Sequence, residues 1–357
     1  MFLLKTARLR KRSLIVSFLV VLACLLAGIR GNAQGDDLFD AAKKGDLPGV
    51  MALLDPNTGV NGKNSDGVTA LYLASSAGHL DVVKALLDKG AEANARSSNG
   101  TTALMGASAE GYLTVVQALL AKDAKVNAKT TDGGTALIVA SQNDHLEVVQ
   151  ALLAKGADVN AVANNGGTAL IYSSQNGHLK VVQALLAKGA RVNPSESNVT
   201  TALIAASIDG HLGVVQALLA NGAQINAKDS DEWTALMYSS QNDHLGVVQT
   251  LLAKRADANA KTSDGLTALM IASQNGHLDV AQALLSEGAN ANSKENNGMT
   301  ALMTASYKGY GDVVRALLDK GADVSAKTND GKTALDAATA GGHAEVKALL
   351  VRAGAKR

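Results

Sequence analysis

Two kinds of hydrophobic pattern divide the chain. Residues 13–29, SLIVSFLVVLACLLAGI, form an unbroken apolar run behind the basic stretch Met1–Arg12. From Asp36 onward the apolar positions come instead in short stripes at helical spacing. The segment Asp264–Leu285, DGLTALMIASQNGHLDVAQALL, shows the unit. Thr267 stands where its hydroxyl can accept a backbone N–H of a first helical turn. Leu269, Ile271 and Ala272 follow at helical spacing, and Gly276 stops the helix as a left-handed residue. His277 and Leu278 open a second helix whose apolar stripe is Val280, Leu284 and Leu285. Gly288 ends that helix. Asn296-Asn297-Gly298 then predicts a tight turn in which Gly supplies the positive φ.

The unit recurs. Thr-Ala-Leu begins at 69, 102, 135, 168, 201, 234, 267, 300 and 333, always 33 residues apart. Asp36–Asn61 keeps the register without the triplet: Ala41, Gly45, Leu47, Leu53 and Leu54 align with Ala74, Gly78, Leu80, Leu86 and Leu87. A fixed period of this length marks a repeat architecture. Ten units are expected, near 33–65, 66–98, 99–131, 132–164, 165–197, 198–230, 231–263, 264–296, 297–329 and 330–357. No unit can bury its stripe alone, so neighbours must stack. The end units read as polar caps. The first has Asp46 in the His slot, Gly49 in a Val slot and Asn57 in place of the stop glycine. The last carries Asp336 and Lys347 at positions that are apolar elsewhere.

These residues resemble the ankyrin repeat: DG-x-TAL, then G-H-L-x-V-V, then L-L-x-x-G-A-x-x-N-A. The likeness runs from about residue 36 to 357. It implies an all-α fold, an α-solenoid of residues 34–357 with a helix–turn–helix and a β-hairpin-like turn in each repeat. Two departures are general. The family's Pro after Thr is Ala here, as at Ala268, which removes some preorganisation of the first turn. The family's His after Leu is Met270, Ile138 or Tyr72 here, an exchange that suits a slot in the core between repeats.

Before the repeats, Gly31-Asn32-Ala33 puts small residues ahead of Gln34. With the basic and apolar stretches this is the three-part form of a secretory signal peptide, residues 1–33, cleaved after Ala33. Export to the periplasm or beyond is the expectation. An uncleaved anchor through residues 13–29 is the alternative, since that run is near the lower length limit for crossing a bilayer. Residues 1–33 also hold six of the 33 bases and no acid, so the remainder carries about five more acids than bases. Such a body does not suit a nucleic-acid partner. The single cysteine, Cys24, lies in the apolar run, so the repeats hold neither a disulfide nor a thiol nucleophile.

Candidate chemistry dissolves into the repeat. All seven histidines, 79, 145, 178, 211, 244, 277 and 343, occupy one column, shared with Tyr112 and Tyr310. Stacked repeats lie about 10 Å apart, too far for neighbouring imidazoles to share a metal, each of whose bonds is near 2 Å. The column is expected to be structural, with no metal and no cofactor. Serines 75, 108, 141, 174, 207, 240, 273 and 306 are a second column, read as small residues that let helices pack rather than as nucleophiles. The glycines follow the period and form no phosphate loop. Lys228, Lys261, Lys294 and Lys327 make a ladder diluted by Asp257 and Asp323, read as a solvated face. No enzyme is expected.

The expected function is protein binding by a monomeric scaffold. The resemblance implies a partner on the concave side, at the turns and the exposed ends of the first helices. The residue before each Thr runs Val68, Thr101, Gly134, Gly167, Thr200, Trp233, Leu266, Met299, Lys332. Three consecutive large apolar side chains, Trp233, Leu266 and Met299, are expected at exposed turn tips, where an exposed Trp is typical of a binding hot spot. The adjoining column adds Gln241, Gln274 and Tyr307, with Asn242, Asn275 and Lys308 beside it. The two preceding turns, Asn198-Val199 and Asp231-Glu232, replace the usual Asx-Gly, and Pro194 sits in the tip before them. They are expected to differ in shape, because positive φ is costly without Gly.

Overall fold

The computed structural model describes residues 33–54, 59–194 and 200–356. The expected signal peptide, except Ala33, therefore lies outside the described residues, as do Asn57, Asn198 and Val199. Among the described residues the fold is all-α, with twenty helices in ten pairs and isolated β-bridges rather than sheets. The chain divides into two compact units, residues 1–131 and 132–357. The first holds the pairs Ala33–Lys44 with Leu47–Leu53, Ala70–Ser76 with Leu80–Asp88, and Ala103–Ala109 with Leu113–Ala121. The second runs from Ala136–Gln142 with Leu146–Ala154 to Ala334–Ala340 with Ala344–Arg352. Within each unit first helices pack on first helices and second on second, an α-solenoid.

From the second pair on, the first helices have only seven or eight residues, far too short to be stable alone. Two things hold them. Each is capped by the Thr of Thr-Ala-Leu, whose hydroxyl accepts the N–H three residues on, as Thr267 does from Met270 at 3.3 Å. Such a cap contributes about 1 kcal/mol. Each also buries its Ala-Leu pair: Leu71, Leu137, Leu203 and Leu269 are at most 2 % exposed. The slot after that Leu is mostly core: Ile138 and Met270 are buried, while Tyr72 is half-buried. Gly276 ends its helix in the left-handed region, φ +77°.

The terminal caps work as local hydrogen bonding. Asp46 accepts the N–H of Gly49 at 3.0 Å. Asp336 and Thr333 cap the last pair's first helix reciprocally. The turn at Asp231-Glu232 does not differ in shape, contrary to the sequence expectation. Glu232 itself takes φ +62°, and its N–H donates to the Asp229 carbonyl at 2.9 Å, as Gly265 does to Thr262 at 2.9 Å. The turn's own hydrogen bonds outweigh a left-handed penalty of about 1–2 kcal/mol.

Asparagine ladders tie successive repeats. Asn259 donates its amide to the Gly288 carbonyl at 3.0 Å and accepts the Asn290 N–H at 2.7 Å. Asn61, Asn94, Asn160, Asn193 and Asn292 repeat this bridge. Each of these turns is thereby fixed to its neighbour's second-helix end.

Candidate partner-binding surface

The histidine column is a set of braces. The Nε2 atoms of His178, His211, His244, His277 and His343 lie 2.9–3.0 Å from the carbonyl oxygens of Gln142, Gln175, Ile208, Gln241 and Tyr307. Each imidazole N–H thus satisfies a carbonyl left over at the end of the preceding first helix, one of the groups a helix terminus cannot pair internally. Where Asp144 and Asp243 replace the left-handed glycine, their carboxylates come within 3.7 and 3.6 Å of Nδ1 of His178 and His277. The lysine ladder is also tied to the frame. Lys228 donates to the Lys261 carbonyl at 2.7 Å, and Lys294 to that of Lys327 at 3.2 Å.

The expected apolar strip at the turn tips is not exposed. Trp233 is only 8 % exposed and Leu266 only 6 %, while Met299 is half-buried. The first helix supplies the reason. Its residue five positions after the tip rises beneath it: the Trp233 and Tyr238 rings sit 5.0 Å apart at 42°. The same register in another repeat places the Tyr172 ring where a Cβ on Gly167 would stand. Trp233 is part of the packing of its own repeat.

A buried polar cluster underlies that tip, and the sequence reading missed it. Asp229, 6 % exposed, accepts the N–H groups of Asp231 at 3.0 Å and Trp233 at 2.9 Å. Its second oxygen accepts the Tyr238 hydroxyl at 2.6 Å. Burial, then the hydrogen bond to Asp229, drives the Tyr238 phenol far above its ordinary pKa of 10.0. The signal available in the sequence was Asp229 standing four residues before the only Trp and nine before a Tyr, in a turn without glycine.

The other predicted residues divide by duty. Asn242 spends its amide on the Ile208 carbonyl at 2.8 Å, and Asn275 on Ile271 of its own helix at 2.9 Å. Gln241 and Gln274 are half-buried, while Asn275 and Lys308 are exposed. Tyr307 is 52 % exposed. Its backbone carbonyl holds His343 at 3.0 Å while its ring faces solvent. The structure thus brings Gln241, Gln274 and Tyr307 into one column at successive first-helix ends. It removes Trp233 and Leu266 from the exposed surface.

A stack of capped helix pairs, with its histidines and asparagines spent on repeat-to-repeat bonds, defines a repeat scaffold. Residues 38–130, 124–196, 192–262 and 269–356 match the family model described as ankyrin repeats (3 copies). Residues 242–285 match one described as ankyrin repeats (many copies). The chain belongs to the ankyrin repeat family. Among solved structures it resembles the crystal structure of the human ASB11 ankyrin repeat domain. That likeness has 28% sequence identity and a TM-score of 0.58, and covers 62% of this chain and 99% of that one. No match is found among curated proteins.

Proposed function

We propose that this protein is a non-catalytic, exported scaffold that holds a protein partner on the face formed by its first-helix ends and turns. The observation that carries the reading is the division of labour on that face. The histidines, the asparagine ladder and Trp233 are engaged in the stack, whereas Tyr307, Lys308 and the glutamine ends are not needed to build it. Tyr307 offers the exposed aromatic anchor that the sequence had assigned to Trp233, and aromatic anchors with a polar rim are what protein interfaces favour. Export rests on the basic, apolar and small-residue order of residues 1–33. A chain tethered by residues 13–29 would present the same face beside a membrane.

Two measurements on the protein from its host test this. N-terminal sequencing is expected to begin at Gln34, and a chain retaining Met1 would favour the tethered form. A photo-crosslinking residue in place of Tyr307 is expected to trap a discrete host protein. The same probe at an exposed second-helix position such as Gln249 is expected to trap none. Equal capture at both positions would refute the assigned face.

A further inference from the structure

The first-helix ends carry a row of uncommitted amides. Gln175, Gln241 and Gln274 are each half-buried, and their side-chain amides have no hydrogen-bond partner among the described residues. The stack does not require them, since Ala109 and Ile208 fill the same position in other repeats. Two of the three backbones are braced to a following repeat: the Gln175 and Gln241 carbonyls receive Nε2 of His211 at 2.9 Å and of His277 at 3.0 Å. The Gln175 and Gln241 amides are therefore presented from braced points two repeats apart, with Ile208 between them, and Gln274 follows in the next repeat. Tyr307 continues the row at the next repeat.

We propose that this row binds an uncharged polypeptide segment in the polyproline II conformation, running along the stack and offering one backbone carbonyl to each glutamine. This rests on the scaffold reading and names the partner's chemistry. Pitch is the first argument. Packed helices lie about 8–10 Å apart. A polyproline II helix rises about 3.1 Å per residue with three residues per turn, so the same face returns about every 9.3 Å. A β-strand alternates faces with period two and turns every third residue away. Hydrogen bonding is the second argument. Polyproline II leaves its backbone carbonyls unpaired, and a primary amide is a donor suited to them.

Charge is the third argument. The first helices Ala169–Gln175, Ala202–Ile208, Ala235–Gln241 and Ala268–Asn275 contain no charged residue, and of the exposed residues just beyond the row Asp209 and Asp243 are acidic while Lys308 is basic. A segment of one charge sign laid there would lose hydration and meet both signs, gaining no net counter-ion. The exposed ring of Tyr307 supplies the flat aromatic surface against which proline-rich segments pack. From Gln175 to Tyr307 is four repeat intervals, about twelve residues of such a segment.

The test uses a labelled twelve-residue polyproline peptide. Controls are an alternating Thr-Val peptide and a polyglutamate peptide of equal length, all followed by fluorescence anisotropy against the full repeat region. Polyproline is expected to bind at least tenfold more tightly than either control. Combined Gln175→Ala, Gln241→Ala and Gln274→Ala is expected to weaken it at least tenfold, at about half a kilocalorie or more per lost hydrogen bond. The thermal midpoint should hold, since Ala already occupies this position at 109. Tyr307→Ala, an exposed site, is expected to weaken it separately. Unchanged binding by both variants, or equal binding of the Thr-Val peptide, would overturn the inference. Crosslinking of a host protein at Tyr307 with no polyproline binding would overturn it while leaving the scaffold reading intact. Failure of both arms would remove both.

Discussion

Trp233→Ala should destabilise the second unit strongly, although a turn-tip side chain would ordinarily be expected to matter little. A buried Trp removes roughly 200 Å² from water, and at 8 % exposure nearly all of that is lost to solvent here. About 150 Å² of it exceeds what Ala would bury, which at about 25 cal/mol per Å² corresponds to about 4 kcal/mol. The offset pair with Tyr238 adds about 0.5–1.5 kcal/mol, and partial collapse of the turn onto the void returns a similar amount. A net loss of about 3–4 kcal/mol is expected. Urea unfolding followed by far-UV circular dichroism is the suitable assay, because Trp233 is the only tryptophan and its removal deletes the fluorescence probe. Trp233→Phe, which keeps a ring over Tyr238, should lose less than half as much. Tyr238→Ala combined with Trp233→Ala should show coupling of about 0.5–3 kcal/mol, as for residues in contact. A loss below about 1 kcal/mol for Trp233→Ala, with unchanged denaturant sensitivity, would refute the packed geometry and return Trp233 to the exposed surface.

Two further changes probe polar groups in the frame. Ser273 is fully buried and its hydroxyl has no partner among the described residues, whereas Ser207 in the same column bonds the Leu203 carbonyl at 2.7 Å. Ser273→Ala should therefore stabilise by about 0.5–1 kcal/mol, through relief of an unpaired buried group and better helix propensity; a lower urea midpoint would contradict this. Glu295 has its pKa raised above the ordinary 4.5, chiefly by burial and further by Asp264, against a lowering hydrogen bond from Asn297. A raised carboxylate favours the folded state at low pH, and that contribution is lost as pH climbs through and beyond 4.5. Glu295→Gln should then raise the thermal midpoint at pH 7 and leave it nearly unchanged at pH 3.5, and equal midpoints at pH 7 would refute the assignment.

Residue order alone determined most of the frame. The 33-residue spacing of Thr-Ala-Leu, the glycine stops and the apolar stripes specify helix pairs because each is a local instruction: a cap, a left-handed residue, a face to bury. The histidine column was legible for the same reason, since a residue recurring with the period belongs to what the period builds. The caps were visible as polar substitutions, Asp46 in the histidine slot and Asp336 in an apolar one.

What only the tertiary structure decided is which variable positions are free. Trp233 and Leu266 read as exposed because a turn tip is usually wet. Their burial depends on a residue five positions on, Tyr238 under Trp233, whose direction is set by helix geometry and not by the turn. Glu232 read as a changed turn because positive φ disfavours a side chain. The hydrogen-bonded neighbours nonetheless hold it there, because the cost of one left-handed residue is smaller than that of breaking the turn. The glutamine amides and the Tyr307 ring lie in a column that the variable positions of the repeat had already marked. The sequence already placed Gln241, Gln274 and Tyr307 beside the expected surface, but that their side chains are not spent on the stack followed only once the neighbouring carbonyls, imidazoles and asparagines had been assigned to one another, since a polar group is free only relative to the partners that packing brings within reach.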